Sequence, residues 1–229
     1  MSKTFDQATL SNYFSLCVKG YHMLNTDPIK EAVWESINSL VFKYSGIQVL
    51  TQACGSHSPG CDIETDKGKF SNKSAKYEAK GTSFSISSYR LTSVTNAENP
   101  GSLEEILQEI NTRKNFDYYS VILREESVNG GFKYDWYMIP SDYNAFNPFN
   151  FKWVPTIGKR GKNAEKQVGW NTTSGVSGYE DSMSITFSMS SQLWIHLKVT
   201  EEMKQFIVAT ATYDGEAPQI DYVTLAQKN

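Results

Sequence analysis

The sequence predicts an α/β-type (α+β) domain: a central mixed β-sheet flanked by helices, with a β-rich C-terminal half. Three observations predict it. From Pro28 to Glu125 the apolar pattern runs helical, then strand-like, then helical, then strand-like. The C-terminal third is mostly strand-like. No repeat, low-complexity tract or long Pro/Ser/Gly linker divides the 229 residues, so one domain spans 1–229, with a core over 28–125 and a β-rich part over 126–229.

The elements follow in order. The first forty-five residues read helical. Asp27-Pro28 has the form of an N-cap followed by Pro at the first helical position, and Ile29, Ala32, Val33, Ile37 and Leu40 recur at helical spacing up to Gly46. From Ile47 the pattern is strand-like, in IQVLTQA, CDIET, KFSNKSAKYE and SFSISSYRL. Ser102 caps a second marked helix, with Glu104 and Glu105 at its positive end and Leu103, Ile106, Leu107 and Ile110 on one face. DYYSVILREE and FKYDWYMIP read as strands. So do SMSITFSM, QLWIHLKV and QFIVATAT, which lie behind a polar, Gly-rich stretch from Gly158 to Gly178.

Composition bounds the function. Hydrophobic residues at 39% and charged residues at 21% suffice for a core. A net charge of −3 excludes a strongly basic nucleic-acid coat and leaves room for a local basic cleft. Three cysteines (Cys17, Cys54, Cys61) without CxxC spacing argue against a disulfide framework or a zinc ribbon. The N-terminal residues carry charge where a signal peptide is apolar, and no run approaches a membrane span. The expectation is a cytoplasmic protein with no membrane association.

The chemistry concentrates between Ser58 and Ser74, SPGCDIETDKGKFSNKS. Lys67-Gly68 is a two-residue turn candidate. Folding there sets Asp66 opposite Lys69, Glu64 opposite Ser71, and Asp62 opposite Lys73. Strand alternation puts Asp62 and Glu64 on one face, as it does Ser71 and Lys73. Two carboxylates, a hydroxyl and an ammonium can hold Mg²⁺ through hard oxygens while the lysine polarises a water.

This arrangement resembles the PD-(D/E)xK nuclease superfamily, and within it the type II restriction endonucleases, the PvuII-like branch being nearest in spacing. The resemblance covers roughly 28–125. It implies a Mg²⁺-dependent endonuclease acting on double-stranded DNA as a homodimer, with a DNA methyltransferase as its functional, non-contacting partner. Catalytic roles pass to Asp62, Ser71 and Lys73, and metal binding to Asp62. Three departures stand out. Pro59 lies three residues before Asp62, and Ser71 occupies the usual position of an acid. Ser74-Ala75-Lys76 and Glu78-Ala79-Lys80 offer alternative registers. Either Glu64 or Glu35 can replace the missing acid.

Further candidates concern DNA. His57 can touch a phosphate. Lys159, Arg160, Lys162 and Lys166 lie among glycines with Asn163, Gln167 and Asn171, cations for phosphates and amides for adenine edges. Ser190 and Gln192 can lie on a strand in a groove. Tyr143, Phe146, Phe149, Phe151 and Trp153 can wedge between bases or fill the core. His22 and His196 have no metal-ligand spacing, and no GxSxG or Walker motif occurs. Two rival readings remain: a structure-specific repair or junction nuclease, and a non-enzymatic β-rich binding module.

Overall fold

A computed structural model describes residues 5–52, 60–173 and 181–216. Two helices open it. Helix α1 (Gln7–His22) is capped by the Asp6 carboxylate, which accepts from the Thr9 amide, and buries Leu10, Phe14 and Val18. Helix α2 (Glu31–Tyr44) buries Trp34, Ile37, Val41 and Phe42. It starts after Lys30 rather than at Pro28. The preceding residues are held to the sheet: the Ile29 amide donates to the Tyr134 hydroxyl, and the Ile29 carbonyl accepts from Ser74. These tertiary bonds override the local Asp-Pro start signal.

Among the described residues eleven strands follow: β1 (Val49–Gln52), β2 (Ile63–Thr65), β3 (Gly68–Glu78), β4 (Ser83–Arg90), β5 (Tyr118–Glu126), β6 (Phe132–Pro140), β7 (Lys152–Ile157), β8 (Gln167–Thr173), β9 (Ser182–Thr186), β10 (Gln192–Lys198) and β11 (Ile207–Tyr213). Helix α3 (Leu103–Thr112) crosses from β4 to β5 and starts at Ser102, as its capping pattern predicts. A short α4 (Glu201–Lys204) precedes β11. The strands form one mixed sheet in the order β11-β6-β5-β3-β4-β10-β9-β8-β7, and β2 joins β3 to β1 off that path. Among the described residues only the β3–β5 pairing is parallel, in keeping with the α3 crossover. The expected mixed sheet with flanking helices is present.

The sheet has two halves. Only Tyr77↔Phe84 and Glu78↔Ser83 pair β3 with β4 and so join them. Side-chain alternation sorts the core by face. On β5, Tyr119, Val121 and Leu123 enter one cluster with α3 and the inner residues of β4, β9 and β10, while Ile122 enters a second cluster with α1 and α2. The second cluster contains no residue of β4 or of β7 to β10. Among the described residues, helices therefore cover that face only over the β11-β6-β5-β3 half.

Two segments differ from expectation. The polar stretch from Gly158 contains strand β8, so Gln167 and Asn171 are strand residues. Ser190 sits in a left-handed turn at φ 57°, outside β10. Of the aromatic segment, Phe146, Phe151 and Trp153 are core, whereas Phe149 is exposed. Among the described residues, no helix is long and apolar enough to cross a membrane.

Candidate active site

The site begins at the β2–β3 hairpin. Gly60 adopts φ 74°, and a Cβ there would collide with the Arg113 carbonyl and the Asn115 side chain, so glycine is needed where the chain enters β2. The turn falls one residue earlier than Lys67-Gly68 predicts. Thr65 pairs with Gly68, Glu64 with Lys69 and Ile63 with Phe70, leaving Asp66-Lys67 at the corner. Two contacts impose this register. The Thr65 hydroxyl accepts from the Lys67 and Gly68 amides. Asp66 exchanges bonds with the Gln48 backbone, donating its amide to the Gln48 carbonyl and accepting the Gln48 amide on its carboxylate. Asp66 is thereby engaged away from Lys69. Asp62 consequently lies beside Ser71 and not opposite Lys73.

The shift leaves the chemistry together. The Asp62 amide closes the ladder on the Phe70 carbonyl. Beyond it β2 has no further pairs, and its Oδ2 accepts from the Asn72 amide at 2.6 Å and the Ser71 hydroxyl at 3.3 Å. β4 joins β3 only at Tyr77 and Glu78. The β3 backbone between these contacts forms a gap in the sheet edge, and the Asp62 carboxylate sits in it.

Helix α2 supplies the other charges. Lys73 is 9% exposed, and its Nζ lies 3.0 Å from Glu31 Oε1. Burial works against its ammonium, but Glu31 and Asp62 outweigh that effect and hold the Lys73 pKa above its ordinary value. Glu35, one turn further along, carries the opposite signature. Burial first, then the charges of Asp62 and Glu31, push its carboxyl up against the pull of Lys73. Tyr119 on β5 also feels both Asp62 and Lys73, with its hydroxyl bonded to Ser88 at 3.0 Å. Helix α2 is itself fixed from below: Trp34 Nε1 donates to the Ser120 carbonyl, and the Ser120 hydroxyl donates to Asn38 and accepts from Trp136 Nε1.

The structure thus brings Asp62, Ser71, Lys73 and Glu35 together and adds Glu31, which the sequence reading did not name. The signal for Glu31 was its spacing of four residues from Glu35, which puts both on one helical face. Glu64 turns to Lys69 at 3.6 Å and Thr51 at 3.5 Å. The alternative registers lie elsewhere. Ser74 donates to Ile29, Lys76 is exposed, and Glu78 accepts from Ser85. Lys80 occupies the β3–β4 turn at φ 59°.

The DNA candidates spread over the second half. Lys159, Arg160, Asn163 and Lys166 are exposed in the β7–β8 hairpin. Gln167 donates to the Gly169 carbonyl, Asn171 is exposed on β8, and Gln192 donates to the Tyr89 and Leu193 carbonyls. His57 and the side chain of Lys162 lie outside the described residues.

Among the described residues, no group of three or more His, Cys, Asp or Glu side chains is placed to hold a metal ion by itself. Mg²⁺ does not need one, since it is commonly held by one or two carboxylates together with water and substrate phosphate. Asp62 and Glu35 fit that demand: hard oxygens within electrostatic reach, and one carboxyl whose ionisation a nearby cation would favour. Compared with known proteins, the chain matches no family model, no curated protein and no solved structure.

Proposed function

We propose that the protein is a Mg²⁺-dependent endonuclease of the type II restriction kind, hydrolysing phosphodiester bonds of double-stranded DNA as a homodimer. The observation that carries this reading is the gap in the β3 edge, where Asp62 and Glu35 stand beside the buried, ion-paired Lys73. A surface hairpin without a role has no reason to bury an ammonium among carboxylates taken from a separate helix.

In this reading Asp62 and Glu35 hold the metal, Glu35 replacing the acid absent at Ser71. When bound, Mg²⁺ neutralises charge on the scissile phosphate and lowers the pKa of a coordinated water. The chain's own groups do the rest. Ser71 and the Asn72 amide anchor one oxygen of Asp62 and so fix its carboxylate plane. Glu31 holds the Lys73 ammonium, which donates to the attacking water and orients it. The water oxygen bonds to phosphorus as the bond to the 3′ oxygen breaks; the water sheds a proton to solvent and the departing 3′ oxygen takes one up, leaving a 3′ hydroxyl and a 5′ phosphate. Homodimerisation supplies one such site for each strand. A DNA methyltransferase would protect the host's own sites.

Incubation with mixed plasmid DNA and Mg²⁺ tests the reading. Wild type gives discrete bands. Asp62→Ala gives none while keeping its fold and its DNA affinity. Cleavage by Asp62→Ala within tenfold of wild type, or no cleavage by wild type with any divalent ion, overturns it.

A further inference from the structure

The uncovered half of the sheet has an unusual composition. Strands β4, β7, β8, β9 and β10 contain no Asp and no Glu, although the chain as a whole carries 25. Their alternating pattern buries Phe84, Ile86, Met183, Ile185, Leu193, Ile195 and Leu197 on the α3 side. The opposite face is a continuous polar shelf. Its register is explicit: Asn171 pairs with Ser184, Ser184 with Trp194, and Trp194 with Ser87. In the flanking row Gly169 pairs with Thr186, and Thr186 with Gln192. His196 is clamped between Ser85 at 2.8 Å and Ser184 at 3.0 Å, holding those hydroxyls in place. Trp194 belongs to neither hydrophobic cluster.

The shelf borders β3. Glu78 of β3 pairs with Ser83 at its inner border. Lys76 and Arg124, neighbours in the parallel β3–β5 register, lie on the same face as Glu78. They line, with Lys80, a cavity of about 350 Å³ at that border. The outer border is the β7–β8 hairpin with Lys159, Arg160 and Lys166. Cations thus stand at both margins among acids: Glu78, Glu125 and Glu126 at the inner one, with Glu126 paired to Arg124 at 3.5 Å, and Glu165 at the outer one, whereas the strands between them carry none.

Resting on the endonuclease reading above, we propose that this shelf is the seat of the DNA duplex, its margins gripping the two phosphate backbones and its serine, threonine, asparagine and tryptophan side chains facing the groove. Five strands at ~4.8 Å spacing make it about 20 Å across. Over that length a duplex presents on the order of ten phosphate charges, so freedom from acid is the property such a seat needs. Hydroxyl and amide side chains then supply donors and acceptors for base edges.

The test adds the same charge at two alternative places. Ser184→Glu with Thr186→Glu puts two acids on the shelf. Leu16→Glu with Leu24→Glu puts two on exposed positions of α1 and the residues after it. Binding of a randomised duplex pool is measured in EDTA by fluorescence anisotropy, alongside thermal melts. The shelf pair should weaken binding by about tenfold or more, and the helix pair should not, because like charges placed against phosphate repel at contact range. If the shelf pair does not fold, Ser184→Lys with Thr186→Lys decides, and it should tighten binding. Equal effects of the two acidic pairs, or no tightening by the lysine pair, overturn the shelf while wild-type cleavage leaves the endonuclease standing. Wild type that neither binds nor cuts DNA removes both.

Discussion

Glu31 and Lys73 form one ion pair, yet removing either partner should have very different consequences. The Lys73 side chain is 11% exposed and Glu31 is 39% exposed. Glu31→Gln leaves a buried ammonium short of its main partner, a loss worth about 3–5 kcal/mol when nothing compensates. Asp62 still faces Lys73 and the glutamine still accepts a hydrogen bond, so about 2–3 kcal/mol is expected. For a chain of this length that lowers Tm by about 4–12 °C, at ~2–4 °C per kcal/mol. Lys73→Met instead removes the buried charge and lets Glu31 turn to water, so stability should move by less than about 1 kcal/mol in either direction. The pH dependence separates the variants further. The raised Lys73 pKa makes its pair stabilising below the ordinary value of 10.5, and that contribution is lost as pH rises through the folded-state value. In Glu31→Gln burial dominates and lowers the pKa, so the stability of this variant should rise with pH on the alkaline side. Circular-dichroism melts in EDTA from neutral pH to well above pH 10.5 measure both effects. A Lys73→Met protein that melts below Glu31→Gln would refute the assignment of Lys73 as a buried, carboxylate-dependent cation.

Lys73→Ala should slow DNA cleavage on the order of a thousandfold, with Lys76→Ala and Lys80→Ala within tenfold of wild type; a dead Lys80→Ala beside an active Lys73→Ala would move the site. Because the Glu35 carboxyl is raised, wild type loses stability as pH climbs from its ordinary value of 4.5 through the folded-state value. Glu35→Gln should therefore melt higher than wild type at pH 7 in EDTA, lose that advantage below about pH 4.5, and gain less from added Mg²⁺; identical melting at pH 7 would contradict it. Replacing Lys159, Arg160 and Lys166 by serine should flatten the slope of log affinity against log salt by roughly two to three units, with Tm nearly unchanged. An unchanged slope would mean that DNA is gripped elsewhere.

What the sequence revealed follows the range of the interactions concerned. Helix α3 is legible because its cap, first-turn acids and apolar face all lie within ten residues. The hairpin is legible as a hairpin, but its register depends on Asp66 meeting Gln48, a contact made only once β1 is in place. Asp27-Pro28 has every local mark of a helix start and is overruled by Tyr134, more than a hundred residues away. Strands β7 and β8 hide because Pro155 in one and Gly169 and Asn171 in the other are poor strand formers, and a Gly- and Lys-rich link separates the paired ends Ile157 and Gln167. In the site, Asp62 and Lys73 stand out as a motif and Glu35 as a carboxylate on the preceding helix. Glu31 looks like a first-turn acid suited to the helix dipole, and only the buried ammonium opposite it reveals a second role.

The junction between β3 and β4 divides heredity as well as structure. A one-residue slip in a strand turns its whole pattern over, and such a slip is contained wherever few pairs transmit it. Only two residue pairs cross this junction. Insertions and deletions in the far strands can therefore accumulate without re-registering β3 against β2 and β5, where the carboxylates and the lysine are set. A lineage built this way can vary those far strands many times over while keeping the carboxylates and the lysine in place, and its members would diverge fastest in β4 and in β7 to β10.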